Sequence, residues 1–270
     1  MMKQAFMGIS PFHPIIPQFD PLDHGDFFCY TAERMLCVTE ADSMIKAAIL
    51  DADGTLLDSM GAWDVAAANY LAGRGVTARP DLQEVLFPLT LTECTVYLHE
   101  DYGLPESPKQ IEEAIKAGMA RFYRERVEAK PGALEFLTKL KAHGVKLALA
   151  TNTARGAITG GLERTGLLPL LDGIFTTEEV GLDKRNPAYF RHVRKALGTE
   201  PAETWVFEDA VHAAATAYHA GFPVAGVPDP YSDQEELKKV CHLYLPGLTD
   251  FDGFWSRANE VTPEPRGEQP

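Results

Sequence analysis

The chain has 270 residues, 45% hydrophobic and 24% charged, which excludes a disordered chain, a collagen-like fibre and a small disulfide scaffold and leaves room for one large domain or a core with a smaller module. Its formal net charge of −14 argues against nucleic acid as a partner, because a phosphate backbone is bound by clustered Lys and Arg. No run of about 18 apolar residues occurs, so no membrane partner is expected either.

Residues 1–43 differ from the rest. They carry Pro11, Pro14, Pro17 and Pro21 and show neither a strand nor a helix period. The apolar stretch is too broken for a signal peptide. Met44 directly precedes the first strand-like run, residues 45–50, so 1–43 reads as an extension outside the catalytic fold; a packed arm using Phe27, Phe28 and Tyr30 is the alternative. The cysteines Cys29, Cys37, Cys94 and Cys241 form no CxxC pair, which fits reduced thiols in a cytoplasmic protein better than a Cys29–Cys37 disulfide.

After 45–50 come about eighty residues before the next core helix, far beyond an ordinary connection. They read as helices over 63–72, 92–99 and 107–126. Next come a helix over 133–142 closed by Gly144, a strand over 145–150, a helix over 156–165 ending at Gly166, and a short strand over 174–176. Residues 187–197 read as a helix with Pro187 near its first position and Gly198 just past its end. Strands over 204–207 and 224–227 flank a helix over 210–220, and 243–245 is an edge strand. This alternation predicts an α/β fold, a Rossmann-like three-layer parallel sheet core with an inserted α-helical cap. The boundaries are 44–59 and 130–247 for the core and 60–129 for the cap. Residues 248–270, polar and Pro-rich at their end, read as a frayed tail.

The strongest chemical signal is Asp51-Ala52-Asp53-Gly54-Thr55 at the end of the first strand. Carboxylates two apart in extended chain point the same way, and two such charges repel by roughly 4 kcal/mol at an effective dielectric of 20. A divalent cation removes that conflict, and oxygen-only ligands imply Mg²⁺. Taken alone, the pair also fits a simple turn. Three further features fall at strand-to-helix junctions. Thr151 and Asn152 offer a hydroxyl and free N–H groups for an anion, or merely a helix cap. Lys184 lies in a polar loop before a helix, where it either neutralises phosphate or is solvated. Glu208 and Asp209 supply more carboxylates at a strand end, or complement a helix dipole.

In this order, the four motifs make residues 45 to about 247 resemble the haloacid dehalogenase-like hydrolase superfamily, and within it the β-phosphoglucomutase and phosphoglycolate phosphatase-like branch. The resemblance implies that Asp51 is the nucleophile taking the phosphoryl group and Asp53 the general acid/base. It implies Mg²⁺ held by the Asp51 carboxylate, the Asp53 backbone carbonyl and Asp209, with Glu208 in support. Thr151 and Asn152 would hold the phosphate, and Lys184 would balance charge. The mutases of this branch carry a His after the first motif and an Arg in the cap; here those places hold Trp63 and Leu89-Thr90-Leu91-Thr92-Glu93. Net hydrolysis of a small soluble phosphomonoester, a sugar phosphate or similar metabolite, is therefore favoured over a hexose phosphate phosphomutase or a non-catalytic phosphometabolite-binding relative. Arg155 and Trp63 are candidates for touching substrate, with Tyr97, Arg121, Tyr123 and Arg124 as weaker ones. No phosphate-binding GxxxxGK[ST] loop and no strand-linked GxGxxG is present. The expected partner is a small phosphorylated metabolite, and the expected state a monomer or homodimer.

Overall fold

The computed structural model describes residues 45–86 and 89–261. The segment 1–43, with the reading of it as an extension, lies outside the described residues, as do Cys29 and Cys37. Cys94 and Cys241 are free thiols. No helix among the described residues is long and apolar enough to cross a membrane.

The first strand, β1 (Ala47–Leu50), is buried along its whole length. Its alternation sends Ala47 and Ile49 into one apolar cluster and Ala48 and Leu50 into another, so both faces of the sheet are covered. The chain leaves the core at β2 (Leu57–Asp58) and returns at β3 (Glu128–Ala129), and these two pair antiparallel with Leu57 opposite Ala129. Between them lie α1 (Met60–Asp64), α2 (Ala66–Ala72), α3 (Leu82–Leu86), α4 (Leu91–Asp101) and α5 (Pro108–Glu125). The single helix expected over 63–72 is split where Val65, at φ −96° and ψ 2°, leaves helical geometry. Both long cap helices open with capping boxes, Thr90 with Glu93 and Ser107 with Gln110. In α5, Ile111, Ile115, Met119 and Tyr123 are buried at four-residue intervals, so one face of the helix is apolar.

The core continues with α6 (Ala133–Ala142), β4 (Lys146–Thr151), α7 (Arg155–Thr165), β5 (Gly173–Thr176), α8 (Thr177–Val180) and α9 (Pro187–Leu197). It closes with β6 (Thr204–Glu208), α10 (Val211–His219), β7 (Val224–Gly226), α11 (Gln234–Lys239), β8 (Leu243–Tyr244) and α12 (Phe251–Ala258). The six core strands are parallel in the order β5-β4-β1-β6-β7-β8. The chain builds outward from β1 on one side through β4 and β5, and on the other through β6, β7 and β8. A crevice therefore opens at the carboxyl ends of β1, β4 and β6, where such sheets bind ligands. Phe136, Ile158, Leu162 and Phe254 cover one face; Tyr189, Phe190, Val193 and Ala214 cover the other.

The tail departs from expectation. Residues 251–258 are a core helix, not a frayed end: Phe251, Phe254 and Ala258 are buried at i, i+3 and i+7. The Phe254 ring packs 5.1 Å from Phe207 and 5.3 Å from Trp205. The polar, Pro-rich end of the chain obscured this short apolar stripe.

Candidate active site

The end of β1 carries Asp51 into the crevice, and the Asp51 N–H still pairs with the Phe207 carbonyl of β6 at 3.0 Å. The adjacent strand tip supplies Glu208 and Asp209, and the carboxylate oxygens of all three acids lie within 4.8 Å of one another. Gly54 makes this approach feasible. Its φ of 87° suits glycine, and a Cβ there would stand 2.4 Å from Asp209 Oδ2.

Lys184, only 2% exposed, lies beneath the cluster. Its ammonium donates to Asp51 and, at 2.6 Å, to Glu208 Oε1. Thr55 Oγ1 donates to Asp209 Oδ1 at 3.1 Å and Ser232 Oγ to Asp209 Oδ2 at 2.9 Å. Three carboxylates face one ammonium, and Glu208 Oε2 is buried without a hydrogen-bond partner. Burial raises the Asp51 carboxyl, against the pull of Lys184, and lifts Glu208 well above the carboxylate range. Burial and the charge of Asp51 push Asp209 up to about 7. Burial works against the Lys184 ammonium, but Asp51 and Glu208 outweigh it and raise its pKa. The cluster is thus short of positive charge.

Asp53 behaves differently. The two aspartates do not share one cation site through their side chains. The chain reverses at Gly54, whose N–H donates to the Leu57 carbonyl at 3.0 Å, and the Asp53 carboxylate meets hydroxyls instead. Ser59 Oγ donates to Asp53 Oδ1 at 2.6 Å, Thr153 Oγ1 to Oδ2 at 2.7 Å, and the Tyr123 hydroxyl also to Oδ1. The Trp63 indole N–H donates to the Tyr123 hydroxyl at 2.8 Å. Burial, and then the Asp53 charge, raise the Tyr123 phenol well above its usual range, so it stays a neutral donor. Tyr123 sits at the end of cap helix α5, where α7 has small residues: a Cβ on Gly161 would come 3.1 Å from the Tyr123 ring. The cap thereby reaches the reacting end of the sheet.

Thr151 is buried at the tip of β4 and accepts the Thr153 N–H at 3.0 Å; Asn152 is exposed beside it. Arg155 is not brought into the cluster. Its guanidinium is held by Glu179, with Nε at 2.5 Å, and by the Ile174 carbonyl at 2.7 Å. Tyr97 packs edge-on against Tyr102, and Arg121 lines a cap cavity together with Arg126. Sequence reading did not bring out Thr55, Ser59, Thr153 or Ser232 as site residues. Single hydroxyls carry no spacing signal, although Thr55 and Ser59 do flank the first motif.

The haloacid dehalogenase-like hydrolase family matches residues 48–227. A bifunctional riboflavin kinase/FMN phosphatase of Arabidopsis thaliana is 30% identical over 203 residues, 73% of this chain, and the chain spans half (50%) of that relative's length. A phosphoglycolate phosphatase of Rhodospirillum rubrum is 28% identical over 84% of this chain and 95% of its own. Among solved structures, CbbY from Rhodobacter sphaeroides in complex with phosphate superposes with a TM-score of 0.65 at 21% identity, covering 76% of this chain and 96% of that one, a likeness of fold.

Proposed function

This chain belongs to the haloacid dehalogenase-like hydrolases, and we propose that it is a Mg²⁺-dependent phosphatase that cleaves a small phosphomonoester through a phosphoryl group carried transiently on Asp51. The observation that carries this reading is the buried trio Asp51, Glu208 and Asp209, of which Asp51 and Glu208 share the one ammonium of Lys184 while Asp209 is held by hydroxyls alone. An acidic cluster this deep stays fully ionised only when further positive charge arrives.

The donors suit a hard divalent cation. They are all oxygen, they lie close enough to share one ion, and Glu208 Oε2 has no other partner. Asp51, Asp209 and the Asp53 carbonyl would hold it, with Glu208 in support. When bound, the ion supplies charge neutralisation for the acids and for the phosphate oxygens. A divalent ion also brings the charge of three carboxylates and one ammonium to zero.

The protein's own residues then account for the chemistry. An Asp51 carboxylate oxygen attacks phosphorus in line, and the bond from phosphorus to the ester oxygen breaks. Asp53 gives its proton to the departing oxygen. Its three hydroxyl neighbours fix the carboxyl's orientation. In the second half, a water oxygen attacks phosphorus, Asp53 takes the proton, and the bond to Asp51 breaks to release phosphate. Thr151 and the Asn152 N–H orient the phosphate, and Lys184 keeps Asp51 in its attacking position.

The test is hydrolysis of a generic phosphomonoester with Mg²⁺. Release of inorganic phosphate should stop with a chelator and in Asp51→Asn, with the fold retained by circular dichroism. Undiminished turnover in Asp51→Asn would remove Asp51 from its role. An isomerised sugar phosphate without free phosphate would instead identify a mutase.

A further inference from the structure

A cavity of about 290 Å³ lies between the cap and the core loop that bears Tyr231. It adjoins the phosphate end of the sheet at three points. Met60 lines it, and the Met60 side chain and the Asp209 carboxylate approach the same point above Gly54, at 3.0 and 2.4 Å. Trp63 lines it, and its indole reaches Asp53 through the Tyr123 hydroxyl. Tyr231 closes the core side, and its neighbour Ser232 holds Asp209. A phosphate placed against Asp51 would leave its ester oxygen and the attached alcohol facing this space.

The walls are chemically one-sided. Leu89, Leu91 and Ile115 are among the residues that make them, and no described lining residue is Lys, Arg or His. Gln83 also lines the cavity, and one N–H of its amide donates to the Asp64 carbonyl. Asp64 is the charged residue in the described lining, and its sign repels an anion. A second phosphate or a carboxylate would enter without a counter-charge, and among the described lining side chains a ring of sugar hydroxyls would find partners only in Asp64, Gln83, Tyr231 and the Cys94 thiol. An apolar ring would bury its surface at no such cost.

Resting on the phosphatase reading above, we propose that this cavity receives the alcohol half of the substrate and selects a phosphomonoester of an apolar, ring-bearing alcohol over sugar phosphates and phosphorylated carboxylic acids. Trp63 and Tyr231 face that ring from the cap and from the core, and Leu91 is a specificity-determining position in the wall.

The test compares benzyl phosphate, glucose 6-phosphate and phosphoglycolate. All three are esters of aliphatic alcohols with leaving groups of similar basicity, so differences in kcat/KM report on recognition of the remainder. Benzyl phosphate should exceed both others by about tenfold or more. Benzyl alcohol should quench tryptophan fluorescence, and glucose should not. In Leu91→Arg, the benzyl ester and the alcohol should both lose ground, while phosphoglycolate gains. A higher kcat/KM for the sugar phosphate or for phosphoglycolate in the unmodified protein would overturn the proposal while leaving the phosphatase reading intact. No Mg²⁺-dependent turnover of any ester would overturn that reading instead. Alcohol binding lost in Leu91→Arg would then still support the cavity's assignment, and failure to bind would refute it.

Discussion

Removing one oxygen atom, in Tyr123→Phe, tests whether the cap positions the proton-transfer carboxylate. The Tyr123 hydroxyl donates to Asp53 and accepts the Trp63 indole N–H at 2.8 Å. The ring itself is fully buried and keeps its packing in the variant. The loss is therefore one hydrogen bond to the Asp53 carboxyl, about 1–3 kcal/mol, and one orphaned indole donor, about 1–3 kcal/mol if fully buried. Trp63 is only partly buried, so we expect a total of about 2–4 kcal/mol, and a fall in Tm of roughly 5–10 °C for a domain of this size. Adding Trp63→Phe removes the orphaned donor, so the double variant should recover about 1 kcal/mol relative to additivity. Activity should separate the two roles. If Tyr123 is a positioning residue for Asp53, kcat falls by about tenfold with KM little changed, and Trp63→Phe does not restore it. Thermal unfolding and steady-state kinetics on the four proteins of the cycle decide the matter. A Tyr123→Phe protein with unchanged Tm and unchanged kcat would refute the reasoning.

Lys184→Met removes the ammonium beneath two buried carboxylates and should cost about 3–5 kcal/mol in urea unfolding at pH 8 with chelator, and less at pH 5.5, where the acids can take up protons. The cluster also sets a pH dependence. Asp209 has a folded-state pKa of about 7 against an ordinary 3.8, so the metal-free fold holds a proton that the unfolded chain releases. That contribution is fully present below pH 3.8 and is lost as pH rises through 7. Stabilisation by Mg²⁺ should therefore grow from pH 5.5 to pH 8, with proton release on binding in calorimetry. Phe254→Ala, in α12, should destabilise by about 3–5 kcal/mol, because the ring is wholly buried among aromatic neighbours; a neutral result would mean that this helix contributes nothing to the core.

The layout of the core was legible because strands and helices there differ in period and are punctuated by glycine. Helix Pro187–Leu197 matches its sequence reading at both ends, since Pro187 and Gly198 mark them chemically. The four motifs stood out because a parallel sheet places strand tips at a predictable edge. What stayed hidden was settled by tertiary contact. Helix α3 has five residues, too few to register a period. The apolar stripe of α12 is short and followed by a polar end. Arg155 looked available beside the second motif, and only the fold brings Glu179 to it. The bare spacing of Asp51 and Asp53 suggested two carboxylates sharing a cation, and only the resemblance assigned the ion to the Asp53 backbone. Hydroxyls from Ser59, Tyr123 and Thr153, the last a hundred positions away, turn its carboxylate elsewhere.

The most direct measurement of the central claim is the stereochemical course at phosphorus, using a substrate whose phosphate is made chiral with oxygen isotopes. Transfer first to Asp51 and then to water inverts the centre twice, so the released phosphate should show net retention. Net inversion would mean that water attacks the ester in a single step, and the nucleophilic role of Asp51 would be contradicted.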